Sequence, residues 1–122
     1  MLQPKKQGNY FLLPNKIFNM DLTAGEIALY AFLMRMEDRK TYTCYPSFKT
    51  IGNALEMSKN TVMKYVRLIE EKELIETKRT IVENHDGVLR NGNLMYRILP
   101  IKQAVDSFHR RQLFNYGRRK KH

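Results

Sequence analysis

Asn60, Lys64 and Arg67 recur at spacings of four and three, so a helix over residues 58–72 would carry them on one stripe. Lys59 and Met63 flank that stripe. An asparagine amide matches the acceptor and donor on an adenine edge, a lysine suits guanine, and a methionine can touch a thymine methyl. Ser58 and Thr61 add hydroxyls beside the free N–H groups of a helix start, a combination that suits a phosphate. Lys49 and Thr50 stand near the start of a preceding helix, in reach of a phosphate across a groove. Farther along, His85, Arg90 and Asn91 lie in a turn-rich stretch, where arginine is favoured by the negative potential of a narrow groove. Together this is the chemistry of polyanion and base-edge recognition. A solvated helix face and a plain exposed turn would show similar residues, so the elements around the stripe must decide.

Catalytic and metal-binding chemistry finds little support. His85, His109 and His122 are far apart, and Asp106 with His109 offers two ligands one turn apart, with no cysteine cluster to complete a zinc site. The six glycines are scattered and form no phosphate-cradling loop. No serine sits in a nucleophile turn, and Glu70 with Glu71 reads as helix-surface charge rather than a working acid pair. Cys44, between Tyr42 and Tyr45, reads as a small half-buried residue; a redox-sensing thiol would want more cations than the nearby Lys40. The expectation is a protein that is not an enzyme, with no cofactor and no metal. No pocket-forming set of polar residues is visible either, which predicts no small-molecule effector.

The chain has 122 residues and a formal charge of +10, from 22 Lys and Arg against 12 Asp and Glu. That length suits one domain. Half of the excess sits in residues 105–122, where six basic side chains face one acid, Asp106. Polyanions are the natural partners of such a charge, through counterion release; a solvated basic tail that only aids solubility is the alternative. The single cysteine rules out an internal disulfide and fits a reducing, cytoplasmic setting. The longest apolar run, residues 27–34, is far too short to span a bilayer, so no membrane association is expected.

Residues 1–9 read as a loose leader, 10–114 as the folded domain and 115–122 as a basic tail. Residues 10–13 form an apolar run closed by Pro14, either a strand or a segment packed across the core. Thr23 and Glu26 make a capping box, and Ile27, Tyr30, Leu33 and Met34 follow at helical spacing, which predicts a buried helix over 24–36. Residues 41–45 are β-branched and aromatic, a short strand that Pro46 ends. Ser47 caps a second helix bearing Phe48, Ile51, Ala54 and Leu55; Ser58 caps a third with Val62, Tyr65, Val66 and Ile69 inside. Residues 74–82 read as a strand and 94–98 as its return, with turns at 84–87 and 90–93. Pro100 starts a last helix whose apolar face holds Ile101, Ala104, Val105 and Phe108. This face either packs on the domain or pairs with a second copy as a homodimer.

Two short helices that abut across a tight turn need a small residue at their closest approach, apolar contacts, and a capped second helix. Gly52, Ile51 with Leu55, the inward Met57 and the cap Ser58 meet those needs at the required spacings. With a hairpin after the third helix, the sequence predicts an α+β winged helix-turn-helix: a three-helix core, a β-hairpin wing over 84–93, and a C-terminal helix. Glu73 stands where winged helices favour glycine, so the left-handed cap that glycine supplies is expected to be missing.

The chain also resembles the winged helix-turn-helix domain of bacterial replication initiator A proteins and of small related regulators. The matching stretches are Phe11-Leu-Leu-Pro-Asn15, Leu22-Thr-Ala-Gly-Glu26, Glu37-Asp-Arg-Lys-Thr-Tyr42 and Cys44-Tyr-Pro-Ser47. They continue through Lys49-Thr-Ile-Gly-Asn53, Ser58-Lys-Asn-Thr-Val62 and Arg90-Asn-Gly-Asn93, and span about residues 10–112. The resemblance implies double-stranded DNA binding through the third helix and the wing, in transcriptional regulation or plasmid replication initiation. A winged helix can also serve as a protein-interaction or RNA-binding module, here with a nonspecific basic tail.

Overall fold

Three serine or threonine caps set where the core helices begin. The computed structural model describes residues 10–120, with side chains through Gly117. The expected leader, and the Arg118–Lys121 side chains of the basic tail, lie outside the described residues. In α1 (Ala24–Met36) the capping box forms as expected: Glu26 N–H donates to the Thr23 hydroxyl at 3.3 Å, and Thr23 N–H donates to Glu26 Oε1 at 3.1 Å. Ser47 caps α2 (Phe48–Leu55) by accepting from Thr50 N–H at 3.0 Å. Ser58 caps α3 (Lys59–Glu71) in the same way, from Thr61 N–H at 3.2 Å. Each cap satisfies one of the N–H groups that a helix start leaves open.

The core lies where these helices meet. Leu29, Tyr30 and Leu33 of α1, Ile51 of α2, and Val62, Val66 and Ile69 of α3 are buried together with Leu74, Ile75 and Tyr96. Glu26 is buried as well, and its carboxylate meets Lys72 at the end of α3, 2.7 Å away. The capping residue of one helix thereby ties down the far end of another.

A three-stranded antiparallel sheet closes the core in the order β1 (Thr43–Cys44), β5 (Met95–Ile98), β2 (Ile75–Lys78). Cys44 and Thr77 both stand opposite Tyr96. β1 is shorter than the expected strand over 41–45, because Tyr42 takes a left-handed φ of 59° and turns the chain.

The expected strand over 74–82 is interrupted. β2 ends at Lys78, opposite Met95, and a second ribbon starts with Ile81 opposite Asn91. Two residues (79–80) therefore face three (92–94), which is a β-bulge. Gly92 N–H donates to Thr80 O at 2.8 Å, and a Cβ at Gly92 would lie 2.5 Å from Thr80 Oγ1 and 2.7 Å from Val82 Cγ2. A side chain at Gly92 would force Thr80 and Val82 to shift. Beyond the bulge, β3 (Ile81–Glu83) pairs with β4 (Leu89–Asn91) and the hairpin turns through Gly87 at φ 74°. Arg90 and Asn91, expected in a second turn, are instead part of β4.

Two further differences concern the helices. A 3-10 helix over Asn15–Asn19 precedes α1 and, with the residue after it, contributes the buried Ile17 and Met20 to the core. The exit from α3 keeps its left-handed cap despite lacking glycine: Glu73 adopts φ 61°, Glu73 N–H reaches Glu70 O and Leu74 N–H reaches Ile69 O, both at 3.0 Å. Gln103 and Arg110 of α4 (Ile101–Lys120) hold the Glu73 carboxylate at 3.1 and 3.4 Å. The helix cap that a glycine would give by conformational freedom is here supported by side-chain contacts, against about 1 kcal/mol of backbone cost. The Ile101, Ala104, Val105 and Phe108 face of α4 packs on the core of this same chain, and the helix continues through Gly117, where the sequence suggests it has ended.

Candidate nucleic-acid interface

α2 and α3 approach each other at Gly52. A Cβ there would lie 2.5 Å from the Met57 carbonyl oxygen, and the Gly52 carbonyl accepts from Met57 N–H at 2.9 Å. Glu56 closes α2 in the left-handed region at φ 55°, and Met57 points inward against the core. This tight turn fixes α3 relative to α2. A second close contact sets the other side of α3, where a Cβ on Gly25 of α1 would meet the Tyr65 ring at 2.4 Å. α3 is thus clamped from two sides by glycines, while its outer face is left to solvent.

That outer face holds the expected residues. Lys59, Asn60, Met63, Lys64 and Arg67 are all exposed, and Val62, Val66 and Ile69 are buried on the opposite side. Lys64 Nζ lies 5.7 Å from the Tyr65 ring centroid, at the outer range of a cation–π contact. Ser58 is exposed and Thr61 half-buried; the Ser58 hydroxyl donates to Thr61 Oγ1 at 2.9 Å while capping the helix. The Lys59 and Asn60 N–H groups are the ones the cap leaves open at this positive helix end. Lys49 and Thr50 are exposed in the first turn of α2, with the Thr50 hydroxyl 2.9 Å from Ser47 Oγ. The acids of α3, Glu70 and Glu71, fall in its last turn, away from these cations.

His85, Arg90 and Asn91 are exposed on the wing, His85 in the terminal turn and the other two on β4. The wing and α3 border one depression of about 340 Å³, lined in part by Met63, Arg79, Asn91, Asn93 and Phe48. Met63 and Asn91, from separate elements, are brought to a common groove. His85 is not among its lining residues. Asn93 Nδ2 donates to Tyr45 O at 3.1 Å and anchors the base of the wing to the loop that leads into α2.

Arg79 is a residue the sequence reading missed. It lies in the bulge, where the strand pattern breaks, and only the structure shows it facing the groove. The signal in the sequence was Gly92, whose pairing with a bulge is visible only once the register is known.

Cys44 is buried, and its thiol donates to Leu33 O at 3.7 Å. Burial, with the Glu37 charge nearby, pushes it up to about 11, which keeps it protonated and unreactive. Among the described residues no cluster of His, Cys, Asp or Glu could hold a metal ion, and no helix is long and apolar enough to cross a membrane.

A family model described as a helix-turn-helix domain matches residues 21–75, from the residues before α1 to the first residue of β2. The fold is a winged helix-turn-helix. Among solved structures, a possible transcriptional regulator from Methanosarcina mazei Go1 is similar, with 17% sequence identity and a TM-score of 0.53 over 84% of this chain and 79% of that one. At that identity the likeness concerns the fold. No curated protein matches the sequence. The family match ends at the first residue of β2, so the wing beyond the bulge is characterised by this chain's own geometry.

Proposed function

We propose that this protein binds double-stranded DNA, sets the N-terminal half of α3 into the major groove, and lays the wing on the flanking backbone or minor groove. The observation that carries this reading is the exposed set Lys59, Asn60, Lys64 and Arg67 on a helix held by the Gly52 turn. Asn60, Met63 and Lys64 address base edges, giving sequence dependence. Ser58, Thr61, Lys49 and Thr50 address phosphates, with Arg67, Arg90, Asn91 and His85 at the flanks. The protein acts as a cytoplasmic transcriptional regulator, without enzymatic activity. The resemblance of its motifs to replication initiator A proteins supports binding at a bacterial plasmid origin as the other setting for the same contact. A homodimer on two half-sites would use the exposed end of α4 around Leu113, since Ile101, Val105 and Phe108 already pack within the domain.

A protein-interaction or RNA-binding role is the second reading. It draws on the wing, where Ile81 and Leu89 are 68% and 65% exposed and offer apolar surface rather than charge. Fluorescence anisotropy with random duplexes at several salt concentrations, with single-stranded RNA as competitor, separates the two. Engagement of about five to seven phosphates predicts a slope of log K against log salt of about −4.5 to −6, resistant to the RNA. Weak binding that RNA removes equally would refute the DNA reading.

A further inference from the structure

The β3–β4 ribbon is too thin to bury a side chain, and every residue of both strands is exposed. It nonetheless carries Ile81 and Leu89, the most exposed large apolar side chains of the wing. The register puts both on one face. Ile81 stands opposite Asn91, and Glu83 opposite Leu89; side chains directly opposed in an antiparallel pair leave the ribbon on the same side. That face therefore holds Ile81, Glu83, Leu89 and Asn91, while Val82 and Arg90 point to the other. Asn91 is also where the ribbon borders the groove it shares with Met63 of α3, with Arg79 in the same wall. Leu89 lies two strand residues beyond Asn91, about 7 Å farther out. A duplex seated on α3 along this groove thus runs on to Ile81 and Leu89. Glu83, the acid of this face, stands beside the hairpin turn, where a Cβ on Gly87 would lie 3.8 Å from its Oε1.

We propose, resting on the DNA reading above, that Ile81 and Leu89 form an apolar wedge that enters the minor groove beside the α3 site, parts one base step and bends the duplex there. Neither side chain can bond a phosphate or a base edge, and covering those groups would strip their water with nothing given in return. The faces of two parted base pairs are the apolar surface that a duplex can offer. Leucine and isoleucine inserted in this way kink DNA by about 20–90°. Arg79 and Arg90, both exposed, are at hand for the phosphates on either side of the kink. Pyrimidine–purine steps such as TA unstack most readily, so the wedge selects such a step without a hydrogen bond to any base. Sequence alternation alone does not show the wedge, because the bulge at residues 79–80 resets which side of the ribbon each residue faces.

The test uses the full chain and a duplex of its preferred sequence, labelled at both ends for energy transfer and carrying 2-aminopurine at successive steps of the flank. Binding should shorten the end-to-end distance and brighten 2-aminopurine at one flanking step. A TA step there should bind about tenfold more tightly than GC. Ile81→Thr with Leu89→Thr keeps β-branched, strand-compatible side chains; it should retain the salt slope but lose the bend, the brightening and the TA preference. Val82→Thr, on the opposite face, should behave as the parent. Tight binding to a duplex that stays straight and dark overturns the wedge alone, leaving α3 as the reader and the apolar face to a protein partner. A bend that survives in the double variant, or is lost equally in Val82→Thr, also overturns it. Failure to bind any duplex overturns the DNA reading together with the wedge.

Discussion

Placing one methyl group at Gly52 tests the geometry that holds α3. The Cβ of Gly52→Ala would lie 2.5 Å from the Met57 carbonyl oxygen, shorter than the contacts real Cβ atoms make. The neighbour is backbone and cannot swing away. It is also part of the turn: the Gly52 carbonyl accepts from both Glu56 and Met57 N–H groups, so moving Met57 disturbs both bonds. Overpacking of this kind costs about 1–3 kcal/mol, and the rigid neighbour places it near the upper end. Alanine returns about 1 kcal/mol of helix propensity over glycine. The expected result is a net loss of about 2 kcal/mol, or roughly 8 °C in Tm for a domain of this size. Gly117→Ala is the matched control, because nothing lies within 4 Å of a Cβ there. It should raise stability, by up to about 1 kcal/mol of propensity. Urea denaturation followed by circular dichroism measures both. If Gly52→Ala were as stable as the parent, the close approach of α2 and α3 would be wrong.

Other consequences follow from the same structure. Burial raises the Glu26 carboxyl, but hydrogen bonds from Lys72 and Thr23 outweigh it and leave the group below its ordinary 4.5. The pair's contribution is therefore full above that pH and fades as pH falls through the lowered value. Lys72→Met should cost about 2–3 kcal/mol at neutral pH, discounted for the partly exposed lysine, and should flatten the acid side of the stability curve; an unchanged urea midpoint would contradict it. Asn60→Ala should relax base preference at one step by about 1–3 kcal/mol in a site-selection assay, and an unaltered preferred site would remove Asn60 from base reading. Arg118→Ala with Arg119→Ala should weaken all duplexes alike and lower the salt slope by about 2, while an unchanged slope would show that the basic end takes no part.

The helices were legible because each carries its own local signal. Thr23 with Glu26, Ser47 and Ser58 mark starts by hydrogen bonds within one turn, and the buried stripe of α3 repeats at three and four residues. What escaped depends on distant parts of the chain. The bulge at Gly92 is defined only against Thr80 and Val82, and so the division of the hairpin into two ribbons, with Arg79 at the groove, could not be read from strand alternation. Ile17 and Met20 belong to a single turn of 3-10 helix and its end, too short for any periodicity to show. Glu73 defeats a rule of residue type, since contacts from Gln103 and Arg110 thirty or more positions away support its left-handed backbone. The polar stripe of α3 was visible because it is the polar remainder of an amphipathic helix; the meeting of Met63 with Asn91 across one groove was not.

The central claim is that α3 and the wing together meet duplex DNA. Its most direct test is to map the amide signals of the full chain, by ¹H–¹⁵N NMR, as a duplex of the preferred sequence is added. Shifts concentrated at residues 58–67, with a second set at 79–80 and 90–93, are the predicted result. Shifts confined to the end of α4, with 58–67 unmoved, would contradict it and leave the basic end as the sole nucleic-acid contact.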